Sequence, residues 1–177
     1  MPIEEFAIPK DRVAVVIGPN GGTKKTIEKE THTRIRIDSK NGDVEIQAED
    51  ASQTLKASNI VRAIGRGFSP EHALKLTNDE YYFELISLSE ILGKNWKQIQ
   101  SKKGRVIGKE GSIREKIEQD THTSISIYGK TIGIIGHSEA VEKARVAVDM
   151  LLHGAEHATV LNYLRQSHSK EEEFEFR

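Results

Sequence analysis

The sequence predicts an α+β protein made of two consecutive copies of one small domain. Aligned with itself at an offset of 90 residues, the chain shows ten identities among the 21 positions that pair Ile17–Ile37 with Ile107–Ile127. Around both blocks, alternating patterns typical of strands stand between the 3.6-residue patterns typical of helices. Solenoid repeats are shorter and need at least three units, so two copies at this period indicate duplicated globular domains. We expect the domains to cover residues 1–78 and 79–177.

The first copy predicts the element order β-α-α-β-β-α. Gly18 ends the first helical pattern, and Asn41-Gly42 suits a hairpin turn between two alternating segments. The closing helix offers four apolar residues for the core: Leu55, Ile60, Val61 and Ile64. The predicted elements are a strand over 4–8, helices over 10–17 and 22–30, strands over 34–38 and 43–48, and a helix over 50–64.

The second copy predicts the same order, and each copy is followed by a further helical segment. That segment carries Glu-His-Ala both times, at residues 71–73 as a linker helix and at 156–158 as a carboxyl-terminal helix. The polar, acidic residues 167–177 predict a solvated or disordered tail. The main elements are a strand over 81–88, helices over 94–107 and 111–119, strands over 124–128 and 131–135, and a helix over 139–152.

The composition excludes several classes of function. No cysteine is present, so disulfides, thiol nucleophiles and thiolate metal sites are ruled out, and a reducing cytoplasm is favoured. The longest apolar run, Val13–Ile17, is far too short to span a bilayer. The amino terminus lacks the basic and apolar regions of a signal peptide. We therefore predict a cytoplasmic protein with no membrane association.

The net charge of −1 conceals two basic segments. From Lys94 to Lys116 there are eight basic residues against two acidic ones, a local net charge of +6. From Lys10 to Arg36 there are seven against three, a local net of +4. Each basic segment overlaps the repeated block, which favours an anionic partner over a merely solvated surface.

Each copy places Ile-Gly-x-x-Gly between its first two helices, as Ile17–Gly21 and as Ile107–Gly111. Paired glycines let the backbone approach a phosphate chain closely, because no Cβ holds the ligand away. The helix that follows directs unpaired N–H groups and its positive dipole end at the same place. Lys109 adds a cation to the second loop, whereas Pro19-Asn20 leaves the first loop neutral.

A β-α-α-β-β-α unit with this loop resembles a type I KH domain, and the resemblance covers nearly the whole chain. The segment Arg105–Gly111 and the trailing Glu-His-Ala helix also resemble archaeal relatives of the eukaryotic small-subunit assembly factor called partner of Nob. This resemblance implies two tandem type I KH domains, each a three-stranded antiparallel sheet packed on three helices. It further implies non-catalytic binding of single-stranded RNA in rRNA maturation, with the 3′ region of small-subunit rRNA as target and no cofactor.

KH loops clamp the backbone of about four nucleotides beside an apolar groove, and we expect the second domain to do most of the binding. Ile107, Ile117, Ile125 and Ile127 fit either that groove or the core beneath it. The candidate RNA contacts of the second domain are Arg105, Ile107, Gly108, Lys109, Glu110, Gly111, Ser112, Arg114, Ile125, Ser126 and Ile127. The weaker candidates of the first domain are Ile17, Gly18, Pro19, Asn20, Gly21, Lys24, Lys25, Arg34 and Arg36.

Other patterns carry less weight. Neither Gly-Lys step completes a Walker A sequence, and neither His153 and His157 nor the repeated His32 and His122 form a recognisable zinc motif; we expect no metal site. Trp96 and Tyr128 lie near the second loop, and both are candidates for stacking on a base; the core is favoured for Trp96, while Tyr128 suits core and base stacking equally. Two rival functions remain: an adaptor that docks a nuclease or a translation factor through its KH surfaces, and a nuclease or phosphotransferase with an unrecognised site. The first domain fits an RNA surface and a protein-docking surface equally well.

Overall fold

The computed structural model describes residues 1–175, and within that range every side chain except those of residues 168 and 171–174. The chain divides into two compact units, Met1–Phe83 and a second that begins at Glu84. Each unit contains its own three-stranded sheet and its own buried core. No described helix is both long enough and apolar enough to cross a membrane.

The first unit is built on an antiparallel sheet in the order β1-β3-β2. Ile35 of β2 pairs with Ile46 of β3, and Phe6 of β1 pairs with Val44. A 3₁₀ turn over Pro19–Gly21 joins the first two helices, and another over Leu74–Thr77 follows the last one. Its elements are β1 (Ile3–Ala7), α1 (Lys10–Ile17), α2 (Gly22–Thr31), β2 (Arg34–Ile37), β3 (Asp43–Gln47), α3 (Ala51–Gly65) and α4 (Pro70–Ala73).

The second unit repeats this plan, with the sheet order β4-β6-β5. Ile125 of β5 pairs with Ile134 of β6 in an antiparallel register. A 3₁₀ turn over Lys109–Gly111 occupies the position of the first unit's turn. The elements are β4 (Tyr81–Ser87), α5 (Leu88–Leu92), α6 (Trp96–Ile107), α7 (Ser112–Thr121), β5 (Ser124–Tyr128), β6 (Thr131–His137), α8 (Ser138–Leu152) and α9 (His157–Glu175). The two units confirm the predicted α+β class, and they contain every predicted element in order, with the short helix α5 added.

The repeated Thr-His-Thr sequence forms the junction between the second helix and the next strand of each domain. In the second unit, the Thr121 hydroxyl donates to the carbonyl oxygen of Ile117 at 2.6 Å and lies 2.8 Å from the Thr123 hydroxyl. His122, with φ of 55°, ends α7 in the left-handed conformation. The Glu118 carboxylate accepts the N–H of Ile125 at 2.7 Å. These identities therefore stabilise the turn into the strand, and they require no ligand to explain them.

The first unit has the same junction. The Thr31 hydroxyl donates to the carbonyl oxygen of Ile27 at 2.7 Å, and the Glu28 carboxylate accepts the N–H of Ile35 at 2.8 Å.

A second structural contact in this unit comes from Arg12, which donates to the carbonyl oxygens at the end of α3 and just beyond it. Carbonyls at a helix end have no partner within the helix, so the guanidinium satisfies groups that would otherwise be costly to bury.

Three expectations about the elements need correction. Leu55 is 58% exposed, unlike the other three predicted core residues of α3, because it lies on the helix face opposite Ile60 and Ile64. The short helix α5 has no counterpart in the predicted order. The predicted tail from residue 167 is helical as far as Glu175, since its Glu and Lys residues favour helix. Residues 176 and 177 lie outside the described part of the chain.

Candidate nucleic-acid interface

The two Gly-x-x-Gly loops have the same backbone conformation. Gly18 has φ 72° and ψ 174°, and Gly108 has φ 73° and ψ 179°. The third residue of each loop is left-handed, with φ of 55° at Asn20 and 54° at Glu110. The last glycine, Gly111 in the second loop, is also left-handed. The loops therefore differ in their side chains and hardly at all in shape.

The two glycines of a loop are needed for different reasons. A Cβ on Gly108 would lie 2.8 Å from the backbone nitrogen of Ile113, and one on Gly18 would meet the backbone nitrogen of Thr23 at the same distance. The φ and ψ of these first glycines also belong to a region that is essentially restricted to glycine. A Cβ on Gly111 would instead meet only the ends of two side chains, Arg114 at 3.5 Å and Glu115 at 3.9 Å, although Gly111 itself is buried. The first glycine is therefore required by packing against the backbone, whereas the second is required only by its left-handed φ.

The start of α7 lies directly beside the second loop and has no side-chain cap. Unpaired N–H groups and the positive dipole end of such a helix favour an anion. Lys109 and Ser112 are exposed here, and Glu110 is exposed beside them. The Arg114 guanidinium also pairs with Glu118 at 3.0 Å, so only part of its charge is available to a ligand. This arrangement places one exposed lysine, Lys109, beside an uncapped helix end.

Arg105 is not brought to the loop. Its guanidinium donates to the carbonyl oxygen of Leu151 at 3.1 Å and to that of Ala155. These carbonyls lie at the end of α8 and in the turn before α9, so Arg105 anchors the closing helix. The same role falls to Arg12 in the first unit. The side chain that sequence reasoning assigned to RNA is engaged within the domain instead.

The four isoleucines that fitted either the groove or the core fall into two pairs that differ in burial. Ile117 and Ile125 belong to the buried core. Ile107 and Ile127 are half-buried, and Ile127 packs against the edge of that core. Only the second pair retains surface that a base could cover. Ser126 alternates with Ile125 and Ile127 along β5, which directs it toward the opposite face of the sheet.

The first loop carries no cation between its two glycines. Pro19 and Asn20 are exposed and neutral, while Lys24 pairs with Glu28 at 3.5 Å. Lys25 lies near Gly21, its Cε 3.8 Å from where a Cβ would be. The arginines of β2 do not offset this difference, because they lie on the outer face of the sheet.

Arg34 and Arg36 alternate with Ile35, which is buried under the helices. Successive side chains of a strand point to opposite faces, so both arginines lie on the outer face of the sheet. Arg36 is 3.5 Å from Glu45 on that face. The alternation of Arg and Ile along this strand could have shown from the sequence that the arginines lie on the face opposite the core.

Trp96, expected in the core, is 49% exposed. It is the first residue of α6, which Asn95 caps by accepting the N–H groups of Lys97 and Gln98. Ile99, three residues further on, takes the buried position. The helix cap at Asn95 was the available signal, because it places Trp96 before the first residue that faces the core.

Two family models match the chain. Residues 82–169 match the eukaryotic type KH-domain (KH-domain type I), and residues 3–63 match the KH domain. A KH domain-containing protein of Methanocaldococcus jannaschii is 47% identical over 172 residues, which cover 95% of this chain and 75% of that protein. The RNA-binding protein pno1 of Ixodes scapularis is 30% identical over 144 residues, 78% of this chain. The alignment spans 62% of the length of that relative.

A solved structure is also similar. It is the crystal structure of the a/eIF2alpha-aDim2p-rRNA complex from Pyrococcus horikoshii, with a TM-score of 0.88 and 43% sequence identity. The match covers 96% of this chain and 95% of the other. The comparison of sequences and the comparison of structures thus identify the same group of relatives.

Proposed function

The chain belongs to the KH-domain family that includes pno1 and Dim2p, and from this premise we propose that it binds single-stranded RNA, without cleaving it, chiefly through the second Gly-x-x-Gly loop. The observation that carries the proposal is the difference between the loops. Both have the same backbone and lead into an uncapped helix, but only the second carries a lysine, the exposed Lys109, between its two glycines. Ile107 and Ile127 supply a half-buried apolar surface for bases.

We further infer that the RNA is ribosomal, from the 3′ region of the small-subunit rRNA, and that the protein acts in the cytoplasm during maturation of the small subunit. Two observations support this target. The similar Pyrococcus horikoshii protein is named in a complex with rRNA. The resemblance to the partner of Nob family, found from the sequence, implies the same class of RNA.

The test is a fluorescence-anisotropy titration of labelled RNA that ends in the small-subunit 3′ sequence, against a scrambled strand. Lys109→Glu should weaken binding at least tenfold, because it reverses the charge beside the clamped backbone. The matched control is Arg165→Glu, which makes the same charge change at an exposed position of α9 and should alter affinity less than twofold. Equal affinities of the two variants would overturn the assignment to this loop. Equal binding of both strands would remove the ribosomal target but leave RNA binding intact.

A second candidate function is protein docking by the first domain. The complex that contains the similar Pyrococcus horikoshii protein also contains a/eIF2alpha, and the neutral Pro19-Asn20 loop suits RNA less well. In this candidate the first domain holds a translation factor while the second holds RNA. Asn20→Asp should then leave RNA affinity unchanged, whereas a fall of tenfold or more would assign that loop to RNA.

A further inference from the structure

Trp96 is the only tryptophan of the chain, and about half of its surface is exposed. The Asn95 cap holds it in the first turn of α6, where the indole contributes little to the core. A large exposed aromatic ring held on a regular element is a common feature of binding surfaces, since the ring offers much contact area at a small cost in conformational entropy. The position therefore needs an explanation other than packing.

Two lysines flank the indole. The Nζ atom of Lys103 is 5.8 Å from the ring centroid, and that of Lys130 is 5.9 Å from it. Lys103 also donates to the carbonyl oxygen of Gly129 at 2.8 Å, which ties α6 to the turn between β5 and β6. The ring and the two ammonium groups thus form one cluster, held by two elements of the same domain.

The cluster lies in line with the second loop. Trp96, Lys103 and Ile107 are separated by seven and four residues, a spacing that places them on one stripe of an α-helix. This stripe ends at Gly108, where the loop begins. At 1.5 Å per residue, Trp96 is about 18 Å along the helix from that glycine. β5 ends at Tyr128, one residue after Ile127, and the turn that follows it carries Lys130.

We propose that Trp96 stacks on a base of the bound RNA strand, with Lys103 and Lys130 beside the neighbouring phosphates. This site extends the interface beyond the roughly four nucleotides that a KH loop clamps. Aromatic rings accept the face of any base, so the site adds affinity and length preference with little sequence preference. The local net charge of +6 from Lys94 to Lys116 favours a nucleic acid over an apolar protein surface. The proposal rests on the proposed function, because it needs RNA in the second groove.

The single tryptophan makes its fluorescence a direct reporter of this site. The full chain is titrated with unlabelled eight-nucleotide RNA, with excitation at the red edge of the indole band and N-acetyltryptophanamide as the absorption control. Stacking should quench Trp96 in parallel with binding followed by anisotropy of labelled RNA. The titration is repeated with a series of RNAs, each with one abasic nucleotide at a different position. Quenching should be lost only when the abasic nucleotide lies at one particular end of the strand. Binding without any change in Trp96 fluorescence would overturn the site while leaving the proposed function intact.

Substitutions give a second, independent measurement. Trp96→Ala should weaken binding of the eight-nucleotide RNA roughly tenfold, while Trp96→Phe, which keeps an aromatic face, should stay within about threefold of the native chain. Tyr82→Ala is the matched control, since Tyr82 is exposed to a similar extent, at 53%. Equal losses for Trp96→Ala and Tyr82→Ala would contradict a specific stacking site. Thermal melting confirms that each variant is folded.

The lysines are tested by salt dependence. Lys130→Ala should reduce the slope of log K against log salt concentration by about 0.7, the value for one phosphate contact with a single strand. An unchanged slope, together with unchanged affinity, would remove Lys130 from the site. If the native chain causes no anisotropy change with labelled RNA of any length, it does not bind RNA. That result would overturn the proposed function as well.

Discussion

The two Gly-x-x-Gly loops show that the backbone shape of a loop and its charge are determined by different residues. Gly18 and Gly108 differ by only 5° in ψ, and the left-handed residues that follow agree to within a few degrees. The shape follows from the glycines and from the helices packed beneath them. The charge at the loop follows from the two middle residues, which are exposed in both copies. Duplication can therefore preserve the shape of a loop and still change its charge.

The largest expected effect concerns the shared backbone. Gly108→Ala should destabilise the protein by about 2–4 kcal/mol, because it combines a glycine-only conformation with an overpacked contact at Ile113. Gly111→Ala, the matched change whose Cβ would meet only side-chain ends at ordinary contact distance, should cost about 1–2 kcal/mol for its left-handed φ. Chemical denaturation measures both, and Gly18→Ala should resemble Gly108→Ala. Equal costs at Gly108 and Gly111 would contradict the separate roles of the two glycines.

This loop was predictable because its cause is local. The repeat aligns both glycines, and their spacing between two helical patterns indicates a close approach of backbone without any knowledge of tertiary contacts. The Thr-His-Thr identities could be located but not explained, since the Thr121 hydroxyl reaches the Ile117 carbonyl and the Thr123 hydroxyl only once α7 ends at this turn. Element order, set by local periodicity, was predictable in the same way.

The side chains around the loop were less predictable. At the offset of 90, Arg105 aligns with Val15 and Arg12 with Lys102, so the alignment gives no indication that the two arginines have the same role. Both reach carbonyls about 50 residues away in sequence. Exposure of Trp96 was also unpredictable from hydropathy, because it depends on where α6 begins relative to the core.

The next prediction concerns these two arginines. Arg12→Met and Arg105→Met should each destabilise the protein by about 1.5–3 kcal/mol, since each removes charged hydrogen bonds to carbonyls at a helix end. At a temperature where both variants are folded, RNA affinity should remain within about twofold of native. If Arg105→Met is stable and binds RNA tenfold more weakly, Arg105 is an RNA contact as its sequence position first indicated.

The smallest expected effect tests whether charge alone distinguishes the loops. In a Lys109→Glu background, Pro19→Lys should raise RNA affinity about two- to fivefold, because one exposed cation near a phosphate contributes up to about 1 kcal/mol. Ser39→Lys adds the same charge at an exposed hairpin position of the first domain and serves as the control. A gain at residue 19 alone means that the first loop keeps a clamp-competent backbone and lacks only its cation. Equal gains at both positions would mean that the added charge acts by general attraction to RNA, and that the first loop is not a clamp that lacks only its cation.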